Sequence, residues 1–202
     1  MSELAQAIAA LLAITNPVGA LPVFLSITED SDRQTRRRYA ALASGVVFAI
    51  LAVSAIGGRW ILEAFGISMP AFQAAGGLVI VLMGLEMLQG SPTRVQHSDR
   101  PISEEDSILV PFAMPMVAGP GAITTVITLT AKSGDVEGDL TVVLAVAVIA
   151  LILFLVLALS ASAGRFIRGR GGVLVVRFMG LILVAIGAQY LFDGVKAFFF
   201  AS

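Results

Sequence analysis

The sequence predicts an all-α polytopic membrane protein of six transmembrane helices, arranged as two inverted three-helix repeats, with helices 1 and 4 broken. Three observations carry this prediction. Of the 202 residues, 57% are hydrophobic and 13% charged, against about 25% charged in an ordinary soluble domain. Apolar runs of roughly the 20 residues that span hydrocarbon recur along the chain. Finally, Thr15–Asn16–Pro17–Val18–Gly19–Ala20–Leu21–Pro22, and later Pro115–Met116–Val117–Ala118–Gly119–Pro120–Gly121, put proline and glycine in the middle of such runs.

The composition also excludes. A net charge of −1 gives no reason to expect a nucleic-acid partner. With no cysteine, disulfides and thiol chemistry are absent. Met1–Ser2–Glu3–Leu4 lacks the basic start of a cleavable signal peptide, so the first apolar run is expected to stay in the protein.

Taken in order, the predicted spans are Leu4–Ile27, Tyr39–Gly57, Pro70–Gln89, Ile108–Ala131, Leu140–Ala163 and Val173–Phe192. Between the second and third, Arg59–Trp60–Ile61–Leu62–Glu63–Ala64–Phe65 mixes charge with aromatics and is expected at the membrane interface, as is the tail Ala197–Phe200. Asp193 is expected to mark a helix end. The chain reads as one transmembrane domain over 1–202: repeat 1 over 1–90, a central cytoplasmic loop over 91–107, and repeat 2 over 108–202.

Orientation follows from the basic residues. Arg33, Arg36, Arg37, Arg38, Arg94, Arg100, Arg165, Arg168, Arg170 and Arg177 all fall in or beside the odd-numbered loops, 10 of the 13 in the chain. The positive-inside rule puts those loops in the cytoplasm and both termini outside.

The two halves match at an offset of 103 residues: Pro17 with Pro120, Gly77 with Gly180, Gly84 with Gly187, Glu86 with Gln189. Gly57–Ile61 also resembles Ala163–Ile167, at an offset of 106. Chance likeness between glycine-rich apolar segments is the competing reading, but the offset holds for proline, glycine and polar positions. Three spans is an odd number, so the second copy enters from the opposite face, the inverted-topology design of alternating-access transporters. The spacing of Gly77 from Gly84, and of Gly180 from Gly187, puts each pair on one helix face for close packing.

Proline removes an N–H, which strands the carbonyls of Ala13, Val18, Ser107, Pro111 and Met116. Such groups survive in a membrane only where they are buried in protein or line a wet cavity. The breaks are therefore expected to meet near the midplane. A half-helix restarting there aims N–H groups at a carboxylate, while freed carbonyls suit an ammonium. The expected substrate-binding residues are Thr15, Asn16, Pro17, Gly19, Gly119, Pro120, Gly121 and Thr124, with Thr125 and Thr128 nearby. Two kinked structural helices without a ligand are the plainer alternative.

Glu86 is the candidate coupling acid, because intramembrane carboxylates default to functional candidates. The favoured reading is nonetheless an acid reaching water near the cytoplasmic interface, since its counterpart Gln189 cannot titrate. Arg177 is expected to snorkel. His97 reads as a solvated loop residue, and no metal site is expected. No catalytic constellation, nucleotide-binding loop or cofactor motif is present, so the chain is not expected to be an enzyme.

Asn16–Pro17–Val18–Gly19 with Pro22, and Pro115 through Thr124, resemble the paired motifs of the MarC family of bacterial inner-membrane proteins. The resemblance covers the whole chain. It implies a multi-pass inner-membrane protein in a broader group similar to LysE-type exporters, with relatives classed as small neutral amino acid transporters. The expected function is secondary transport or export of small neutral solutes such as glycine or alanine, by alternating access. Partners are then a small-molecule substrate and the lipid bilayer, and the sequence leaves open proton or cation coupling and a homo-oligomer. The alternatives are a cation or metal-ion exporter, and a non-transporting membrane scaffold.

Overall fold

The computed structural model describes residues 3–89, 117–133, 136–160 and 170–200. The described residues are all-helical apart from short connections. The helices are α1 (Glu3–Thr15), α2 (Pro17–Ile27), α3 (Arg33–Ala64), α4 (Met69–Gln89), α5 (Pro120–Ser133), α6 (Val136–Ala158) and α7 (Arg170–Phe200).

Five stretches are long and apolar enough to cross a membrane: Glu3–Ile27, Arg33–Ala64, Met69–Gln89, Glu137–Ala158 and Val176–Phe200. They match five of the six predicted spans. The fourth predicted span is represented by α5, and its first residues, 108–116, lie outside the described residues, as do the central loop, His97 and the Ala163–Ile167 match.

Two boundaries differ from expectation. The second span runs past the predicted Gly57: Arg59–Ala64, expected at the interface, continues α3 as helix, with Phe65 as its C-cap. Nothing in that stretch breaks a helix: Arg59 and Glu63 pair across one turn at 3.4 Å, and the chain turns only at Gly66, where φ is +66°. At 32 residues, α3 is about 48 Å long, well beyond the ~30 Å of hydrocarbon, so its basic start and its Arg59–Ala64 end project past the apolar layer. Asp193 likewise lies inside α7, which runs on to Phe200. Its carboxylate accepts a hydrogen bond from Gln189 Nε2 one turn earlier, at 2.9 Å, so it does not compete for the backbone.

The core is packed by Phe24, Leu51, Ile80, Ile149, Leu153, Leu157 and Leu183, all fully buried. The outer surface is also apolar, with Val53, Ile56, Trp60, Leu78, Leu82, Leu151, Leu155, Leu181 and Phe192 exposed. Apolar residues on both the inside and the outside are what a lipid solvent requires. Within the bundle α4 lies along α7, α3 along α6, α1 along α6, and α5 along α3 and α4.

The α4–α7 pair is built on glycine. A Cβ added at Gly77 would come within 2.6 Å of the Gly187 carbonyl oxygen, and one at Gly84 within 2.7 Å of the Gly180 carbonyl oxygen. A Cβ at Gly194 would likewise come within 2.7 Å of the Pro70 carbonyl oxygen. Residue numbers rise along α4 as they fall along α7, so the two helices are antiparallel.

Candidate functional site: two helix starts facing one stripe of α4

Asn16 separates α1 from α2. Its backbone is left-handed, with φ 40° and ψ 65°, the only positive φ at a non-glycine among the described residues. Asparagine tolerates this region because its short amide can bond locally. Here Asn16 Oδ1 accepts from the Gly19 N–H at 3.1 Å, an N-cap on α2 with Pro17 at the first helical position. The Asn16 carbonyl accepts the Ala20 N–H at 3.2 Å. Glycine at position 19 leaves room for the Asn16 amide, which a Cβ there would displace from its capping position. Thr15 is buried, and its hydroxyl donates back to the Leu11 carbonyl at 2.8 Å.

α5 likewise has proline at its first position, without the left-handed residue or the side-chain cap of α2. Gly119 stands just before Pro120, and its carbonyl accepts the Ile123 N–H at 3.1 Å. Thus Asn16–Pro17 and Gly119–Pro120, at the 103-residue offset, open their helices with matching bonds to Ala20 and Ile123. Pro17 and Gly119 are buried, while Pro120 is exposed. The stretch before Val117, with Pro111 and Pro115, lies outside the described residues.

The two openings are drawn towards one face of α4. A Cβ on Gly121 would meet Ile80 Cγ1 at 2.9 Å, Met83 Sδ at 3.4 Å and Ile14 Cγ2 at 3.5 Å. Asn16 Nδ2 reaches Met87 Sδ at 3.9 Å. Ile80, Met83 and Met87 are three and seven residues apart, hence one helical stripe. Thr124 is buried against Gly76, whose missing side chain makes room for it. Thr125 donates to the Gly121 carbonyl at 2.8 Å, so a carbonyl at the start of α5 already has a second partner.

All eight expected binding residues therefore sit at or beside the two helix starts, seven of them with a packing or bonding role, and Pro120 is exposed. Glu86 is exposed on α4, one turn from its end, and is not joined to this cluster by any described contact. Met83, Met87 and Gln73 on α4, and Tyr190 on α7, were not singled out from the sequence. Gln73 could have been found as an amide inside the predicted span Pro70–Gln89. The methionines carry no such signal, because in an apolar span they read as core.

A bundle of membrane-length helices with apolar residues on its outer faces defines the class: an integral, multi-pass membrane protein. The model of the MarC family of integral membrane proteins matches residues 1–199, and the chain belongs to that family. It is 38% identical over 190 residues to a UPF0056 membrane protein of Pyrococcus horikoshii, covering 94% of this chain and 92% of that one. It is 35% identical over 196 residues to one of Aquifex aeolicus, covering 95% and 91%. The UPF0056 membrane protein YhcE of Escherichia coli is 33% identical over 193 residues, covering 94% and 90%. No solved structure gives a significant match.

Proposed function

We propose that the chain is a secondary transporter or exporter of small neutral solutes, small neutral amino acids such as glycine or alanine first among them. It works by alternating access around a midplane site made by the breaks at Asn16–Pro17 and Gly119–Pro120. The two halves are inverted repeats of three spans each.

One observation supports this reading: the helix starts at Asn16–Pro17 and Gly119–Pro120, 103 residues apart, both reach the Ile80–Met83–Met87 stripe. The reciprocal contacts of Gly77 with Gly187 and Gly84 with Gly180 support the repeat. At the 103-residue offset, Gly180 is the counterpart of Gly77 and Gly187 that of Gly84. Each glycine of α4 thus touches the counterpart of the other, the self-complementary pattern of a two-fold interface. The groups at the openings are neutral: amide, hydroxyl, thioether and backbone. They suit a zwitterion whose carboxylate meets helix N-termini and whose ammonium meets carbonyls.

In this reading the protein sits in the cell's inner membrane with the arginine-rich odd loops in the cytoplasm and both termini outside. Glu86 is the residue to test for proton coupling. No catalytic step is part of the proposal.

Purified protein in proteoliposomes should exchange labelled alanine or glycine, and Asn16→Ala or Gly121→Leu should abolish the exchange. Gly121→Leu would drive a side chain into Ile80 and Met83. No flux by the unmodified protein across a broad panel of small solutes would overturn the proposal. Flux of cations alone would replace it with an ion exporter.

A further inference from the structure

Two polar side chains, Gln73 on α4 through Nε2 and Thr128 on α5 through Oγ1, are buried without a hydrogen-bond partner. Their residues are 6% and 1% exposed. Buried polar atoms of this kind are nearly always paired, and an orphan calls for a water, an ion or a ligand.

The register of α4 against α5 points to these two orphans facing each other. Gly121 packs on Ile80, and Thr124 on Gly76. Numbers fall along α4 as they rise along α5, so the helices are antiparallel there. One further turn brings Gln73, three residues before Gly76, opposite Thr128, four residues after Thr124. On α7, Tyr190 is buried. Lys132, exposed and one more turn along the Thr128 face, holds its Nζ 5.8 Å from the Tyr190 ring centroid.

We propose that Gln73 and Thr128 form a polar station between α4 and α5 that holds a compact oxygen acceptor, either a water or the carboxylate of a small zwitterion. The stripe Gly121–Thr124–Thr128–Lys132 leads from the start of α5 to the surface at its C-terminal end. Gln73 offers amide N–H donors. The Thr128 hydroxyl donates or accepts as needed. Lys132 favours the approach of a carboxylate. The station lies apart from the break residues, and its test requires no flux, so it can fail or stand separately from the transport reading.

The chain has no cysteine, so Thr128→Cys creates a single reporter of similar size. Methanethiosulfonates react with thiolate, which forms where water reaches the sulfur. In proteoliposomes with a small cationic methanethiosulfonate on both sides, Thr128→Cys should label about tenfold or more faster than Val126→Cys, whose parent valine is fully buried on the same helix. Slowing of the reaction by free glycine or alanine assigns the acceptor to a carboxylate. An unchanged rate assigns it to water. Equal inertness of the two variants overturns the proposal. A second measurement covers a cysteine variant that does not fold. Thr128→Val should lower the melting temperature if the hydroxyl is satisfied by a held molecule, and a rise would mean a dry, unpaired group, which also overturns it.

Discussion

Gly77 and Gly187 press backbone against backbone: a Cβ on Gly77 would stand 2.6 Å from the Gly187 carbonyl oxygen, and one on Gly187 would stand 2.7 Å from the Gly77 carbonyl oxygen. The contact is mutual, and the obstruction is main chain, which cannot swing aside as a side chain can. Lipid tails are as apolar as the helix surfaces, so close packing of this kind is a main source of attraction between helices in a bilayer.

Gly77→Ala and Gly187→Ala should therefore each destabilise the fold by about 1–3 kcal/mol, the usual cost of overpacking. Gly45, with nothing near its would-be Cβ, is the control. Gly45→Ala should be neutral or should stabilise by about 0.5–1 kcal/mol through backbone entropy and helix propensity. Unfolding in mixed micelles checks all three, and equal behaviour of Gly77→Ala and Gly45→Ala would disprove the tight contact.

The left-handed backbone at Asn16 separates two roles of its side chain. Asn16→Gly keeps the backbone comfortable and should cost a few tenths of a kcal/mol for the lost cap. Asn16→Ala loses the cap and adds left-handed strain, about 2 kcal/mol together. Melting curves should rank the variants in that order. If the amide also contacts solute, Asn16→Gly should still lose flux; normal transport by this variant would leave Asn16 as a cap only.

Arg36 was read from the sequence as one of the charges that set orientation. In the fold its Nη2 also donates to the Thr28 carbonyl at 2.8 Å and to the Ser31 carbonyl at 3.4 Å, closing the end of α2 against the start of α3. Arg36→Ala should cost about 1.5–3 kcal/mol, the range for hydrogen bonds to a charged group. Arg36→Lys should recover only part of it, because an ammonium lacks the planar fork. A melting temperature unchanged in Arg36→Ala would leave the residue with its topological role alone.

Asp32 caps α3, its carboxylate accepting the Thr35 N–H at 2.9 Å. The Thr35 side chain first, and its backbone N–H second, hold the Asp32 carboxyl below its usual 3.8. A carboxyl with a depressed folded pKa contributes stability above its unfolded value, and that contribution is lost as pH falls through the lower folded value. Asp32→Asn should keep the cap while removing this part of the acid sensitivity. Melting temperatures compared between neutral pH and pH 3 check it: the unmodified protein should lose more than the variant. The cap is fully exposed, so the difference should shrink in high salt.

The spans were legible because crossing a membrane is a demand on composition and length, and both are written along the chain. The Asn16–Pro17 opening was legible too, since proline at a first helical position after asparagine has a local cause. The glycine faces of α4 and α7 could be predicted from spacing, although which helix each would meet could not. The place of Asp193 was misread, because a charged residue was taken as a boundary mark. Arg59 pairs with Glu63 and Asp193 with Gln189, both along a continuing helix. Helical hydrogen bonds are satisfied within the segment, so a charge that finds a neighbour four residues away need not end it.

What the chain determined alone is its solvent and its elements: a lipid-embedded set of helices, a prolyl opening after Asn16, and glycine stripes at sevenfold spacing. Those follow from local rules, one residue and its near neighbours. Only the tertiary arrangement decided that Gly77 answers Gly187, that Asn16 and Gly121 look onto the same face of α4, and that Thr124 packs on Gly76. Such pairings depend on the register between helices far apart in sequence, and register is set by packing at the contact, where a shift of one residue rotates a side chain by about 100° away from its partner.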